Sequence, residues 1–380
     1  MDPNALIPPE SPIGYPMPFW LIEILKVFGF SLHVMMMNIW YAGAILAAGF
    51  GLLGRGNARL VGHHIARALP FVIALGINFG IVPLLFIQAA YYQFFYPATI
   101  LMAWPWFAVF WLVIMAYTGA YLYRLMILGK VKPWAGKAGG WIAGLVFIAV
   151  GFIFANAMSL LTHVDGWWNL FTRTSVAGAS TGLALNFSDA SLIPRWFFMF
   201  GIALTTTAVF VIIDAAFMSG RENEDYRRYA GRFSAVLYTV GLLWFVGFGS
   251  WYIFGTRSEA FPTALADPVM RIIFPLTAIS PGLPWLLLVF QWKQPSRKLA
   301  ALAGVAQFGL ITLNAVSRQW LQNVELAPYA NLASKPMDLQ LSALIIFLLL
   351  FAGGISIAWW MIAKIVHVHR QEFVGKKHHS

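Results

Sequence analysis

Along its whole length the chain alternates long apolar runs with short polar ones. A run of about 20 apolar residues, wound as a helix, crosses a hydrocarbon core of roughly 30 Å. Such runs recur nine times, at about 18–53, 68–95, 100–128, 139–162, 194–219, 231–255, 269–292, 297–321 and 339–366. The pattern predicts an all-α polytopic transmembrane helix bundle, one domain over 18–366, with a lead-in at 1–17 and a basic tail at 367–380. The opening residues, MDPNALIPPESPIGYPMPFW, carry two acids, six prolines and no Lys or Arg. They lack the basic n-region of a secretory signal and read as a short extramembrane segment. The seventh run contains Pro275, Pro281 and Pro284. Such breaks survive in a bilayer where neighbouring helices or waters satisfy the freed backbone groups, so a kinked helix packed inside the bundle is expected. No internal repeat is apparent, which leaves an inverted-repeat transporter without support.

Composition agrees with the pattern. Of 380 residues, 60% are hydrophobic and 10% charged, against roughly 25% charged in a soluble domain. There is no cysteine, which excludes disulfides, iron–sulfur ligation and covalent c-type haem attachment within the chain. The formal charge of +11 is distributed unevenly. Of the 25 Lys and Arg, 18 fall on one side: Arg55, Arg59, Arg67; Arg124, Lys130, Lys132, Lys137; Arg221, Arg227, Arg228, Arg232; Lys293, Arg297, Lys298; and Lys364, Arg370, Lys376, Lys377. The other side holds six, Arg173, Arg195, Arg257, Arg271, Arg318 and Lys335, and Lys26 lies within the first span. The positive-inside rule then puts the N-terminus outside and the C-terminus inside. The charge is a topology signal, and no nucleic-acid partner need be invoked. The outer connections at 163–193 and 322–338 are long, polar and rich in Trp and Asn, so a redox partner or a bound head group is expected on the outer face.

Ionisable groups deep in spans are costly, and they direct attention to function. The stretch FGFSLHVMMMNIWYAG places His33 about 15 residues into the first span, with Met36 and Met37 on the same face and Asn38 beside them. A neutral imidazole is a good axial ligand for haem iron, so haem b is one reading of His33. A histidine hydrogen-bonded to a neighbouring helix is the other. The methionines cannot supply a second axial ligand, because that ligand must approach the iron from the opposite side, and they read as core packing. His63 and His64 fall in the first inner loop, His367, His369, His378 and His379 in the tail, and His163 at the outer end of the fourth span. His163 is open to two readings, a ligand for an outer-leaflet cofactor or a solvated histidine beside Asp165. The chain has no pair of membrane-buried histidines spaced for a bis-histidine cytochrome b. Within the spans the carboxylates are Glu23, near an outer end with Lys26 one turn away, and Asp214, near an inner end.

A second candidate lies at 314–347, NAVSRQWLQNVELAPYANLASKPMDLQLSALIIF. Arg318, Gln319 and Trp320 stand where a helix leaves the membrane on the side poor in positive charge. An arginine and an amide beside an interfacial tryptophan can hydrogen-bond a quinone carbonyl or a haem propionate. Equally, Arg318 can pair with Glu325 to fix the loop.

Taken in order, several segments resemble subunit I of cytochrome bd quinol oxidase. SRQWLQNVELAPYANLASKPMDLQLS resembles that family's Gly-Arg-Gln-Pro-Trp segment and the run into its last helix. IALGINFGIVPLLFIQAAYYQFFY at 73–96 resembles its second helix, FIFANAMSL at 152–160 the Ala-Asn-Ser-Trp-Met end of its fourth, and LALNFSDASLIPRWFFMFGIALTTTAVF at 183–210 the entry to its fifth. The nine spans and the outside N-terminus agree. The resemblance implies that His33 corresponds to a haem-ligating histidine of the first helix. Elsewhere the chain departs from the family: the fifth-helix histidine aligns with Phe198, the methionine of that haem site with Ile273, and the eighth-helix glutamate with Ala315. The third-helix carboxylates are absent from AWPWFAVFWLVIMAY, and the quinol-binding loop is reduced to about 256–268.

These observations together suggest a membrane subunit of a respiratory electron-transfer complex in a bacterial cytoplasmic (inner) membrane, with at most one haem b, at His33, and a quinone or quinol near Arg318, Gln319 and Trp320. It exchanges electrons with extracytoplasmic partners, such as a c-type cytochrome or an iron–sulfur or molybdoenzyme subunit, and does not itself reduce oxygen. The alternative is a haem-free structural anchor for such subunits.

Overall fold

The computed structural model describes residues 6–218 and 222–377, without the side chains of 362 and 365–377. Arg221 and the side chains of His367, His369, Arg370, Lys376 and Lys377, with all of His378 and His379, lie outside the described residues. Among the described residues, nine helices are long and apolar enough to cross a membrane. The protein is an all-α polytopic bundle, and the expected spans recur with shifted ends.

The first span is α1 (Phe19–Tyr41), α2 (Gly43–Ala48) and a wide π turn at Gly49–Leu53. The second, α3 (Gly56–Ala90), starts about a dozen residues before the expected boundary. Val61, Ile65 and Leu69 repeat every four residues and are buried, and that stripe carries the helix through the basic segment. His63 and His64 therefore stand on a helix and not in a loop. A short α4 (Tyr92–Leu101) crosses the outer end before α5 (Ala103–Ile127) and α6 (Pro133–Thr162). The outer connection holds α7 (Trp167–Thr174) and a hairpin of β1 (Ser175–Val176) and β2 (Ala179–Ser180). Then follow α8 (Leu192–Phe217) and α9 (Glu224–Ser250). Asn223 caps α9 by accepting from the Tyr226 N–H at 2.8 Å, and Glu224 and Asp225 complement the positive end of the helix.

The seventh span is broken as its prolines require, into α11 (Met270–Ile279) and α12 (Gly282–Val289), after a short α10 (Ala260–Ala266). Its position differs from expectation. One face packs on α13 (Arg297–Leu326), while Ile272, Ile279, Leu283 and Phe290 are exposed. The broken segment lies at the edge of the bundle, where α12 also packs on α9, Trp285 donating to Thr239 at 2.9 Å. The last span, α14 (Leu341–Lys377), runs on as helix into the basic tail.

Antiparallel pairs α1/α3, α5/α6 and α8/α9 form the frame, with α13 set against α1 and α8. Near mid-membrane four helices meet in a polar knot. Asn38 donates to Thr206 at 3.0 Å, Gln307 donates to Thr205 and Thr206 at 3.1 and 3.0 Å, and the Tyr238 hydroxyl donates to Gln307 at 3.1 Å. Hydrogen bonds of this kind between small and polar residues hold helices together where lipid offers no hydrophobic drive. At the inner end His64 bridges Asp214 at 3.0 Å and Glu222 at 3.2 Å. At the outer end the lead-in pairs with the segment before α14, the Tyr15 N–H donating to Pro336 at 2.8 Å and the Asp338 N–H to Tyr15 at 2.9 Å.

Candidate functional site

His33 is seated against α3 where Gly80 leaves room for its ring. Its Nδ1 lies 2.8 Å from the Gly76 carbonyl oxygen. A carbonyl can only accept, so Nδ1 carries the proton and Nε2 keeps its lone pair. A Cβ at Gly80 would fall 2.8 Å from Nδ1 and 2.9 Å from Cε1, which explains glycine there. At 100° per residue His33 shares the face of α1 that buries Ile22, Lys26, Gly29 and Trp40. Unlike them it remains partly accessible. Met35 and Met37 pack around Val34, Ile202, Phe245 and Ile311, as core.

The three adjacent residues of α13 do not converge. The guanidinium of Arg318 lies 4.5 Å from the centre of the Phe30 ring on α1. Gln319 donates to the Tyr91 hydroxyl of α3 at 2.6 Å and to Asn323 at 3.0 Å. Trp320 turns away, edge-on to Phe274 of α11 at 6.2 Å. Successive side chains of a helix point about 100° apart, so neighbours in sequence face different partners. Arg318 and Gln319 belong to the α1–α3–α13 seam, and Trp320 does not. Nor does Arg318 pair with Glu325. Glu325 binds the Arg257 guanidinium and lies 4.0 Å from Arg195, which leaves Arg318 with no ion-pair or hydrogen-bond acceptor among the described residues.

The seam holds more polar groups than the sequence suggested. Asn323 donates to Glu23, and the Tyr91 hydroxyl donates to the Asn323 carbonyl oxygen at 2.7 Å. The Lys26 ammonium lies 3.5 Å from Gln322 Oε1 and 4.0 Å from the centre of the Tyr91 ring. Gln322 is buried, and its Nε2 has no partner. Two cations and an unspent amide donor thus face one seam, and the carboxylate on its α1 side, Glu23, is bound by Asn323. The signal was present in the sequence as Glu23 and Lys26 on one helix and Arg318, Gln319, Gln322 and Asn323 on another. Only the register between the helices joins them.

A second polar network closes the outer end. Asp189 accepts from Ser159 at 2.6 Å, from the Ser191 N–H at 2.9 Å and hydroxyl at 2.8 Å, and from Arg257 at 3.5 Å. Burial pushes the Asp189 carboxyl up, but these donors and the Arg257 charge outweigh it and hold the group below the usual carboxylate value. His163 is tied into this network: its Nδ1 lies 3.0 Å from Asn186 Oδ1, and Asn186 donates to Ser159 at 2.8 Å.

The remaining positions singled out by the resemblance carry hydrocarbon. Phe198 packs on Phe245 with ring centres 4.8 Å apart, and Ala315 is buried. Among the described residues no three His, Asp or Glu side chains gather as a metal site. Fold and site together define a multi-pass helical membrane protein with a partly accessible imidazole, held by a backbone carbonyl, on its first span and a cation-rich seam near its outer end. No family model matches the chain, and no curated protein matches it.

Proposed function

We propose that this chain is a membrane subunit of an electron-transfer complex, exchanging electrons between the quinone pool and extracytoplasmic redox subunits. The observation that carries the reading is the disposition of His33: its Nδ1–H is committed to the Gly76 carbonyl, and Nε2 has no hydrogen-bond partner among the described residues. A hydrogen bond from the far ring nitrogen to a backbone carbonyl is the usual support of a metal-bound histidine. The residues present therefore fit one haem b, with His33 holding the iron. Such a group, when bound, supplies a one-electron carrier within the bundle. Arg318, one turn further out along the α1 face and without an anion, suits a quinone carbonyl or a haem propionate, and Gln322 Nε2 offers a second donor. Gln319 holds Tyr91 and Asn323 in place. Trp320 shapes the α11 side and is left out of the site. The bacterial inner membrane and a c-type cytochrome, iron–sulfur or molybdoenzyme partner belong to the same proposal.

The haem-free anchor remains the second reading, supported by the aromatic packing at Phe198. A reduced-minus-oxidised spectrum of the complex, isolated with its partners, separates the two. A haem b band that is lost in His33→Ala supports the first, and no band in the wild type favours the anchor. Quinol-dependent electron transfer should fall in Arg318→Ala; an unchanged rate in a fully assembled complex refutes the quinone assignment.

A further inference from the structure

We infer that Glu23 is the group that takes the proton from a quinol bound in the α1–α13 seam and passes it to the outer face. The inference rests on the quinone reading above and assigns a role to a residue that reading leaves unused.

Glu23 lies one turn into α1 and is partly accessible, at the end where the Tyr15 and Phe19 rings stack. Its α13 contact donates to it: Asn323 presents its NH2 to the carboxylate and its carbonyl oxygen to Tyr91 and Gln319. That orientation is held from behind, because Gln319 donates to both Tyr91 and Asn323. The charged and titratable groups facing Glu23 are Lys26 on its own helix, Tyr91 from α3 and Tyr15 from the lead-in, while α13 presents amides. One helical turn further in along the same seam stand the unspent donors, Lys26 and Gln322, and then Arg318. A quinol oxygen placed by Lys26 has Glu23, one turn further out on the same helix, as a carboxylate on the way to the outer surface.

The step balances as follows. A quinol O–H bond breaks and a carboxyl O–H forms on Glu23, while one electron leaves to a ferric haem-class acceptor of the assembled complex. Glu23 then releases its proton to outer water, and the second proton and electron follow by the same routes, leaving quinone. Lys26, fixed against Tyr91 and Gln322, stabilises the anionic oxygen left by each deprotonation until the accompanying electron leaves.

The test uses the assembled complex in membranes, with short-chain ubiquinol and menaquinol analogues as probes. Glu23→Gln should bind the oxidised analogue within about twofold of wild type by tryptophan quenching. Its quinol-dependent turnover should fall roughly 100-fold or more, the scale of a lost proton-transfer group, with Glu23→Asp partly restoring it. In wild type the infrared difference spectrum during quinol oxidation should show a carboxylic acid C=O band that shifts in Glu23→Asp and disappears in Glu23→Gln. That measurement on wild type and Glu23→Asp decides the matter even if Glu23→Gln fails to assemble. Analogue binding with turnover and spectrum unchanged by Glu23 substitution overturns this role alone. No analogue binding to the wild-type complex overturns the quinone reading and this role with it.

Discussion

Arg257 is the residue whose loss the outer network should feel most. Its guanidinium bonds Glu325 of α13, lies 3.5 Å from Asp189, and donates to Ser191 at 3.0 Å, so one side chain joins the end of α9, the entry to α8 and the outer end of α13. In Arg257→Met the stem is kept and the charge removed. Breaking a fully buried ion pair costs about 3–5 kcal/mol, because the surviving charge is stranded. Two features reduce that figure here. The Arg257 side chain is 23% accessible, and neither acid is wholly abandoned: Asp189 retains Ser159 and Ser191, and Glu325 retains Arg195 at 4.0 Å. The expected loss is therefore about 2 kcal/mol, between the exposed and buried limits. For a chain of this size that corresponds to a fall of roughly 2–3 °C in Tm. Thermal unfolding in detergent, followed by tryptophan fluorescence, measures it. Neutralising the stranded partner should recover part of the loss, so Arg257→Met with Glu325→Gln should destabilise by about 1 kcal/mol less than the two singles summed. A wild-type Tm for Arg257→Met, or strict additivity in the double variant, refutes the argument.

Two further outcomes are expected. Gly80→Ala drives a Cβ into the His33 ring, 2.8 Å from Nδ1. The imidazole must leave the Gly76 carbonyl or the helices must part, which should lower Tm by several degrees and displace any haem b band; an unaltered Tm and spectrum would show that this fit is loose. The depressed Asp189 pKa contributes stability that is fully present above the unfolded value of about 3.9 and disappears as pH falls through the lower folded value. Tm should accordingly vary little through Asp189 between neutral pH and about 5 and decline in acid. Asp189→Asn should show a shallower acid slope, and an identical slope in both proteins would exclude that linkage.

How much of this was readable in advance differs from element to element. The second span was placed too far along because its inner third, NARLVGHHIARALP, carries charge that resembles a loop. Val61 and Ile65 are nonetheless spaced to bury one stripe. Pro275, Pro281 and Pro284 announced the break in the seventh span but not its place at the rim, since a proline reports backbone geometry and not neighbours. His33 was visible as an imidazole in an apolar run. Its tautomer was not, because that depends on a Gly76 carbonyl 43 residues away. Arg318, Gln319 and Trp320 appeared to be one site by adjacency, and the helical rotation between them divides them among three neighbours. Glu23 and Lys26 could be noted as a pair, yet their partners Asn323 and Gln322 lie 300 and 296 residues downstream.

The order of residues alone settled what depends on local apolar content: spans enough for a multi-pass bundle, and the uneven charge between its two sides. Transfer of a 20-residue apolar helix into hydrocarbon is favourable whatever surrounds it, so that information is complete within each segment. Which polar groups meet, which nitrogen of His33 is free, and which cations keep unspent donors came from the tertiary structure. Hydrogen bonds and ion pairs act over a few ångströms, and the rotation and depth of one helix against another bring their partners within that reach.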